Sequence, residues 1–258
     1  MPTPLRLEWL RPLVRYVDDE RAVIDTHFAA RPPVAEAPHE AAPERYALDV
    51  EVTLDGADGF HDEGQARLTI EDHRGHLRFE IVHPDRWYPA GMGPQPLYRL
   101  GLTVGDDRRG FDHLETDFGL TSVRRDHALG PDLPPCLLVN GRIWSVQSVL
   151  PLDAAHAAAL LPAHGESVLF IRDHYGDENL YAAADRAGIL IVQSIPLEPD
   201  ARLRPAVADA VDRLSGHPSL AGWYVGHLGE AVDDVTAALK RCDPVHPVFK
   251  TFPNDDAA

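Results

Sequence analysis

The pattern of apolar and polar positions changes once along the chain, near residue 141. Before that point it runs with period two. Tyr46, Leu48, Val50, Val52 and Leu54 alternate with Ala47, Asp49, Glu51 and Thr53, which places one face of a strand in a core and the other in water. The same alternation returns at Leu68 and Ile70, at Leu77, Phe79 and Ile81, and at Tyr98, Leu100, Leu102 and Val104. Asp55-Gly56, Arg74-Gly75 and Gly105-Asp106 supply turn chemistry between these runs. Short alternating strands at this spacing predict an immunoglobulin-like β-sandwich over residues 1–140. Within it, residues 30–44 are rich in Ala, Pro and Glu, carry too little apolar surface to order themselves, and read as a mobile insertion.

Beyond Gly141 short continuous apolar runs alternate with helical patterns. Strands are expected at Ile143 to Leu150, Val168 to Ile171, Ile189 to Ile195, Leu220 to Val225 and Val248 to Thr251. Helices are expected between them at Asp153 to Leu161, Asp177 to Ala187 with Gly188 as the stop, Pro205 to Leu214 and Glu230 to Arg241. Strand and helix in alternation imply βαβ units and a parallel sheet. Residues 141–258 therefore read as an incomplete (β/α) TIM-like barrel of about five parallel strands. Such a sheet exposes open edges, which predicts a homo-oligomer or a partner subunit covering them.

Composition narrows the partners. With 258 residues, two such domains can each bury a core. A formal net charge of −17 argues against nucleic acid or an anionic membrane as partner; it reads first as a solubility device, and a neutral or cationic ligand is easier to accommodate than an anionic one. The residues from Met1 to Val17 hold no uninterrupted apolar stretch of the signal-peptide kind, and no apolar run reaches bilayer-spanning length; a soluble cytoplasmic protein is expected. Cys136 and Cys242 show no zinc spacing, and the fourteen histidines form no H-E-x-x-H or H-x-H pattern, so no metal is expected. Gly91-Met92-Gly93 opens no helix after a strand and is not a dinucleotide loop, so no cofactor is expected; no Gly-x-Ser-x-Gly nucleophile elbow is present either.

Several phrases carry a family resemblance. Arg86-Trp87-Tyr88-Pro89 followed by Gly93-Pro94-Gln95-Pro96-Leu97-Tyr98 is similar to W-x-P…G-x-Q-P-L-Y, Phe118-Gly119-Leu120 to F-G-[FL]-R, and Val139-Asn140-Gly141 to V-N-G. Ile171-Arg172-Asp173-His174 is similar to L-R-x-x-H, and Ala184-Asp185-Arg186-Ala187-Gly188-Ile189-Leu190-Ile191 to C-D-E-x-G-[IL]-x-[IV]. His217-Pro218-Ser219-Leu220-Ala221-Gly222-Trp223 is similar to H-P-S-[IL]-x-x-W, and Asp243-Pro244 with His246-Pro247-Val248 to D-P-T-R-P-V. In this order they resemble family 2 glycoside hydrolases, the group of β-galactosidases, β-glucuronidases and β-mannosidases.

The resemblance implies a pair of catalytic carboxylates, one to protonate the leaving oxygen and one to attack the anomeric carbon, roughly 5 to 5.5 Å apart. The chain departs from that pattern. Where the family writes W-x-x-G-N-E, it reads Trp223-Tyr224-Val225-Gly226-His227-Leu228, with His at the Asn position and Leu228 at the acid/base. Glu230 reaches that register only with a two-residue insertion and otherwise reads as a first-turn helix residue. The family's nucleophile has no counterpart, the Arg after F-G-[FL] is Thr121, and R-G-x-N is replaced by Gln147-Ser148-Val149-Leu150. Arg172, Asp173, His174, Trp223 and His227 remain as candidate sugar-binding residues, with Asp173 and His174 also able to serve as acid and base. These departures imply a carbohydrate-associated binding or structural subunit that has lost hydrolysis. A β-glycosidase completed by a partner subunit, with Glu230 or Asp173 as acid, and an excised part of a full-length glycosidase stay open as alternatives.

Overall fold

The computed structural model describes residues 5–31, 45–107, 110–125, 136–145, 148–152, 167–172, 175, 178–196 and 203–251. These residues belong to two compact units. The first draws on Met1–Leu13, Ile24–Glu80 and Leu97–Phe118, the second on Val14–Val23, Ile81–Pro96 and Gly119–Ala258.

Seven strands form one sheet: Arg6–Val17 (β1), Arg21–Arg31 (β2), Arg45–Asp55 (β3), His61–Glu71 (β4), Arg74–Val82 (β5), Tyr98–Asp106 (β6) and Gly110–Phe118 (β7), in the order β1-β2-β5-β4-β3-β6-β7. The alternating residues of β3 explain its place in the middle. Val50 faces Val104 and Leu54 faces Leu100 across the antiparallel β3–β6 ladder, and Tyr46 faces Ile70 on β4; all six are buried. The β4–β5 turn falls at Asp72-His73, both at positive φ, two residues before the Arg74-Gly75 turn signal. Gly75 instead lies within β5, where a Cβ would stand 2.0 Å from Phe28 Cζ, so only glycine lets that strand pass beneath the Phe28 ring.

The hairpin of β1 and β2 is an addition to the sequence-based expectation. Asp18 closes it, its Oδ1 accepting the Glu20 and Arg21 amides at 2.9 Å each. Ala30 and Arg31, expected in the insertion, belong to β2; the buried Ala30 amide donates to His73 O at 2.8 Å and its carbonyl accepts from Tyr46 Oη. Residues 32–44 lie outside the described residues.

In the second unit Val123–Arg125 (β8), Cys136–Val139 (β9) and Arg142–Ser145 (β10) make a three-stranded antiparallel sheet. Asn140-Gly141, both at positive φ, forms the tight turn between β9 and β10. The expected strand from Ile143 to Leu150 is thus two strands: β10 in this sheet and Ser148–Leu152 (β11) in the next. β11, Ser167–Ile171 (β12), Leu190–Ser194 (β13), Leu220–Tyr224 (β14) and Val248–Phe249 (β15) are parallel neighbours in chain order. Glu178–Ala187 (α1), Leu203–Leu214 (α2) and Val232–Cys242 (α3) are the α-helices among the described residues. None is long and apolar enough to cross a membrane. The expected helix from Asp153 to Leu161 lies outside the described residues.

The expected fold class is corrected on two counts. Strands β1–β7 are hydrogen-bonded into one antiparallel sheet, with β2 joined to β5, rather than divided between two facing sheets of an immunoglobulin-like sandwich. Among the described residues no TIM-like (β/α) barrel follows either. Ten of the fifteen strands lie in antiparallel sheets, and the five parallel strands β11–β15 form an open sheet accompanied by only three α-helices.

Candidate functional site

Five of the phrases that carry the resemblance contribute residues to one buried joint in the second unit. Trp87 is fully buried, and its indole Nε1–H donates to Asp185 O at 2.7 Å. Asn140, held in the left-handed region, donates from Nδ2 to Trp87 O at 2.8 Å and accepts the Ser122 amide at 2.9 Å. The buried Asp185 carboxylate binds His217 Nδ1 at 2.7 Å through one oxygen and the Ser219 amide at 3.0 Å through the other. Two glycines permit the close approaches. A Cβ on Gly119 would lie 2.4 Å from Pro218 Cγ, and one on Gly188 would lie 2.5 Å from Ala90 N at a φ of +72. These residues do structural work: they satisfy one another's polar groups in a buried joint.

The ends of the parallel strands hold the candidate chemistry. Arg172 follows β12 and is partly exposed; Asp173 and His174 lie outside the described residues. Tyr175 packs beneath the Arg213 guanidinium at 5.7 Å, and burial, with Asp209 adding to it, pushes its hydroxyl up to about 12. On β13, Gln193 is fully buried, accepting from Tyr181 Oη at 2.8 Å and donating to Ser194 O at 2.7 Å.

Trp223 on β14 is also fully buried, with no ring face open to a ligand, and donates from Nε1 to Asp243 Oδ2 at 2.8 Å. Asp243 further binds His246 Nδ1 at 2.8 Å and the Val245 and His246 amides at 3.2 Å each. Burial would raise the Asp243 carboxyl, but the His246 charge and the hydrogen bonds from His246 and Trp223 outweigh it and hold the group below its ordinary range.

After β14 the chain enters a 3-10 helix at Gly226–Ala231. Gly226 is needed there because a Cβ would stand 2.3 Å from Lys250 O. His227 stacks on Tyr224, with ring centroids 5.6 Å apart and planes at 19°, and donates from Nε2 to Ile195 O at 3.2 Å. Its Nδ1 is buried and has no hydrogen-bond partner among the described residues. Leu228, partly exposed, occupies the position following His227, and its amide closes a turn on Val225 O at 3.0 Å. Glu230 is exposed within the 3-10 helix, just ahead of α3 and not in its first turn as the sequence pattern predicts. The structure thus brings His227 and Leu228 together at the end of β14, with Tyr224 as a ring partner that the sequence pattern did not single out.

A curated exo-β-D-glucosaminidase of Streptomyces avermitilis is 30% identical to the chain over 140 residues, spanning 50% of the chain and 15% of that protein. β-Mannosidase A of Neosartorya fischeri is 28% identical over 195 residues, 62% of the chain and 21% of that protein. A solved glycosyl hydrolase family 2 member from Bacteroides cellulosilyticus superposes with a TM-score of 0.68 at 16% identity, covering 95% of the chain and 36% of that structure. The chain is glycoside hydrolase family 2-like. No family model matches it. The family 2-like chain spans well under a quarter of the length of both curated relatives, and its likeness to the solved structure is one of fold.

Proposed function

We propose that this chain is a family 2-like domain that recognises β-linked hexopyranosides without hydrolysing them, as a binding or structural subunit. The observation that carries the reading is Leu228 at the end of β14, at the position where the family pattern requires the acid/base carboxylate. A leucine side chain has no proton to give to a leaving oxygen. Glu230 is exposed, near the end of the same 3-10 helix that holds Leu228.

Binding needs less than catalysis does. His227 keeps its ring anchored on Tyr224 and Ile195, and Arg172 supplies guanidinium donors at the end of β12. The names of the two curated relatives point to glucosaminides and mannosides as the sugars to test, and the net charge of −17 favours the cationic amino sugar. Thermal-shift titration of the full chain with glucosamine, chitosan oligomers and mannose oligomers tests this. A saturable shift with one of them, lost in His227→Ala, is the expected result. No shift with any sugar, or a shift indifferent to His227→Ala, would overturn it.

A further inference from the structure

In the first unit Asp25 and His27 sit two residues apart on β2, and His76 sits on β5, the neighbouring strand. Side chains two apart on a strand share a face, and the Gly75 passage beneath Phe28 holds β5 against β2 at this level. One ligand atom from each of the three side chains lies within 4.8 Å of the others. The imidazoles of His27 and His76 meet edge to face, with centroids 5.2 Å apart. His76 Nε2 is 3.4 Å from Asp25 Oδ1. That separation matches the edge of a tetrahedron, about 3.4 Å, around a metal held at about 2.1 Å from nitrogen and oxygen.

We propose that Asp25, His27 and His76 form a binding site for a divalent transition-metal ion of the zinc class. Two imidazoles and one carboxylate suit such ions and not magnesium, which prefers oxygen ligands. Three protein ligands leave a fourth position open to water or to a donor from another molecule.

The group already on Asp25 explains how a metal would enter. The Asp25 carboxylate is 5% exposed and carries the Arg78 guanidinium, with Nε on Oδ1 at 2.5 Å and Nη2 on Oδ2 at 3.1 Å. A buried carboxylate needs a counter-charge. Arg78 and His76 are each more than half exposed, at 59% and 52%, on side chains free to swing toward solvent. The metal and the guanidinium are therefore alternative counter-charges for one carboxylate. Loading the site moves Arg78 outward and draws both imidazoles inward. The site is separate from the end of β14 and does not depend on the sugar-binding proposal.

Isothermal titration of the tag-free full chain with Zn²⁺, and with Mg²⁺ as control, tests the assignment. One equivalent of Zn²⁺ is expected, with no heat from Mg²⁺. His76→Ala removes a half-exposed side chain and should leave the fold intact while weakening Zn²⁺ binding about tenfold or more. Arg78→Ala should melt at a lower temperature than the parent without metal and regain the difference with Zn²⁺, because the ion replaces the lost counter-charge. Zn²⁺ binding that is unchanged in His76→Ala, or an Arg78→Ala melting temperature that does not respond to Zn²⁺, would overturn the proposal.

Discussion

Trp87 donates its indole hydrogen to the carbonyl of Asp185, 98 residues away, at 2.7 Å, and both residues are buried. The same two residues lie in phrases by which the chain resembles family 2 glycoside hydrolases, so part of the resemblance consists of a joint that builds the fold.

That joint has a measurable weight. Trp87→Ala leaves a large cavity and frees the carbonyl of Asp185, and should cost about 3–5 kcal/mol of stability. Trp87→Phe keeps most of the volume and loses the hydrogen bond, at about 1 kcal/mol. Urea unfolding followed by far-ultraviolet circular dichroism reads both values.

Gly188 ends α1 at a φ of +72, with Ala90 N 2.5 Å from where a Cβ would stand. Gly188→Ala meets both the backbone strain and the collision, and should destabilise by about 1–3 kcal/mol. Gly59, at a φ of +79 with open space around it, is the control: Gly59→Ala meets the strain without the collision and should cost less. The difference in urea midpoint between the two variants isolates the collision.

Asp243 gives the chain a pH signature. Its folded carboxyl titrates below the ordinary value of 3.8, so its ionised form favours the folded state. This contribution is complete above the unfolded value and is lost as pH falls through the lower folded one. Asp243→Asn should be less stable by about 2 kcal/mol at neutral pH. The gap between variant and parent should close as pH drops below about 4. Chemical denaturation of both proteins from pH 7 to pH 3 checks the direction.

The strands of the parallel sheet were legible because β12, β14 and residues 190–192 of β13 are short, mainly apolar runs, and the end of α1 because Gly188 follows it. The β1–β2 hairpin was not. Pro12 interrupts β1, its burial pattern has Leu13 and Val14 both buried in succession, and its turn is built on Asp18 rather than Asn-Gly. Missing that hairpin also hid the Asp25, His27 and His76 cluster, since a ligand set drawn from two strands appears as no motif along the chain. Asn140-Gly141 was read only as part of a family phrase, at the boundary where the barrel was expected to begin, although the same dipeptide is a strong hairpin signal, and the structure follows the hairpin. The place of Leu228 at the acid/base position was read from the family phrase and not from residue spacing. The stacking of His227 on Tyr224 needed the 3-10 turn, which residue spacing does not encode.

We propose that the chain keeps part of a glycosidase-like fold without the proton donor. Release of nitrophenol from aryl β-glucosaminide, β-mannoside, β-glucuronide and β-galactoside substrates, by the full chain and by Glu230→Gln, tests it most directly. No release above buffer is expected from either protein. Release by the parent that disappears in Glu230→Gln would contradict it, and would make Glu230 the acid of a working glycosidase.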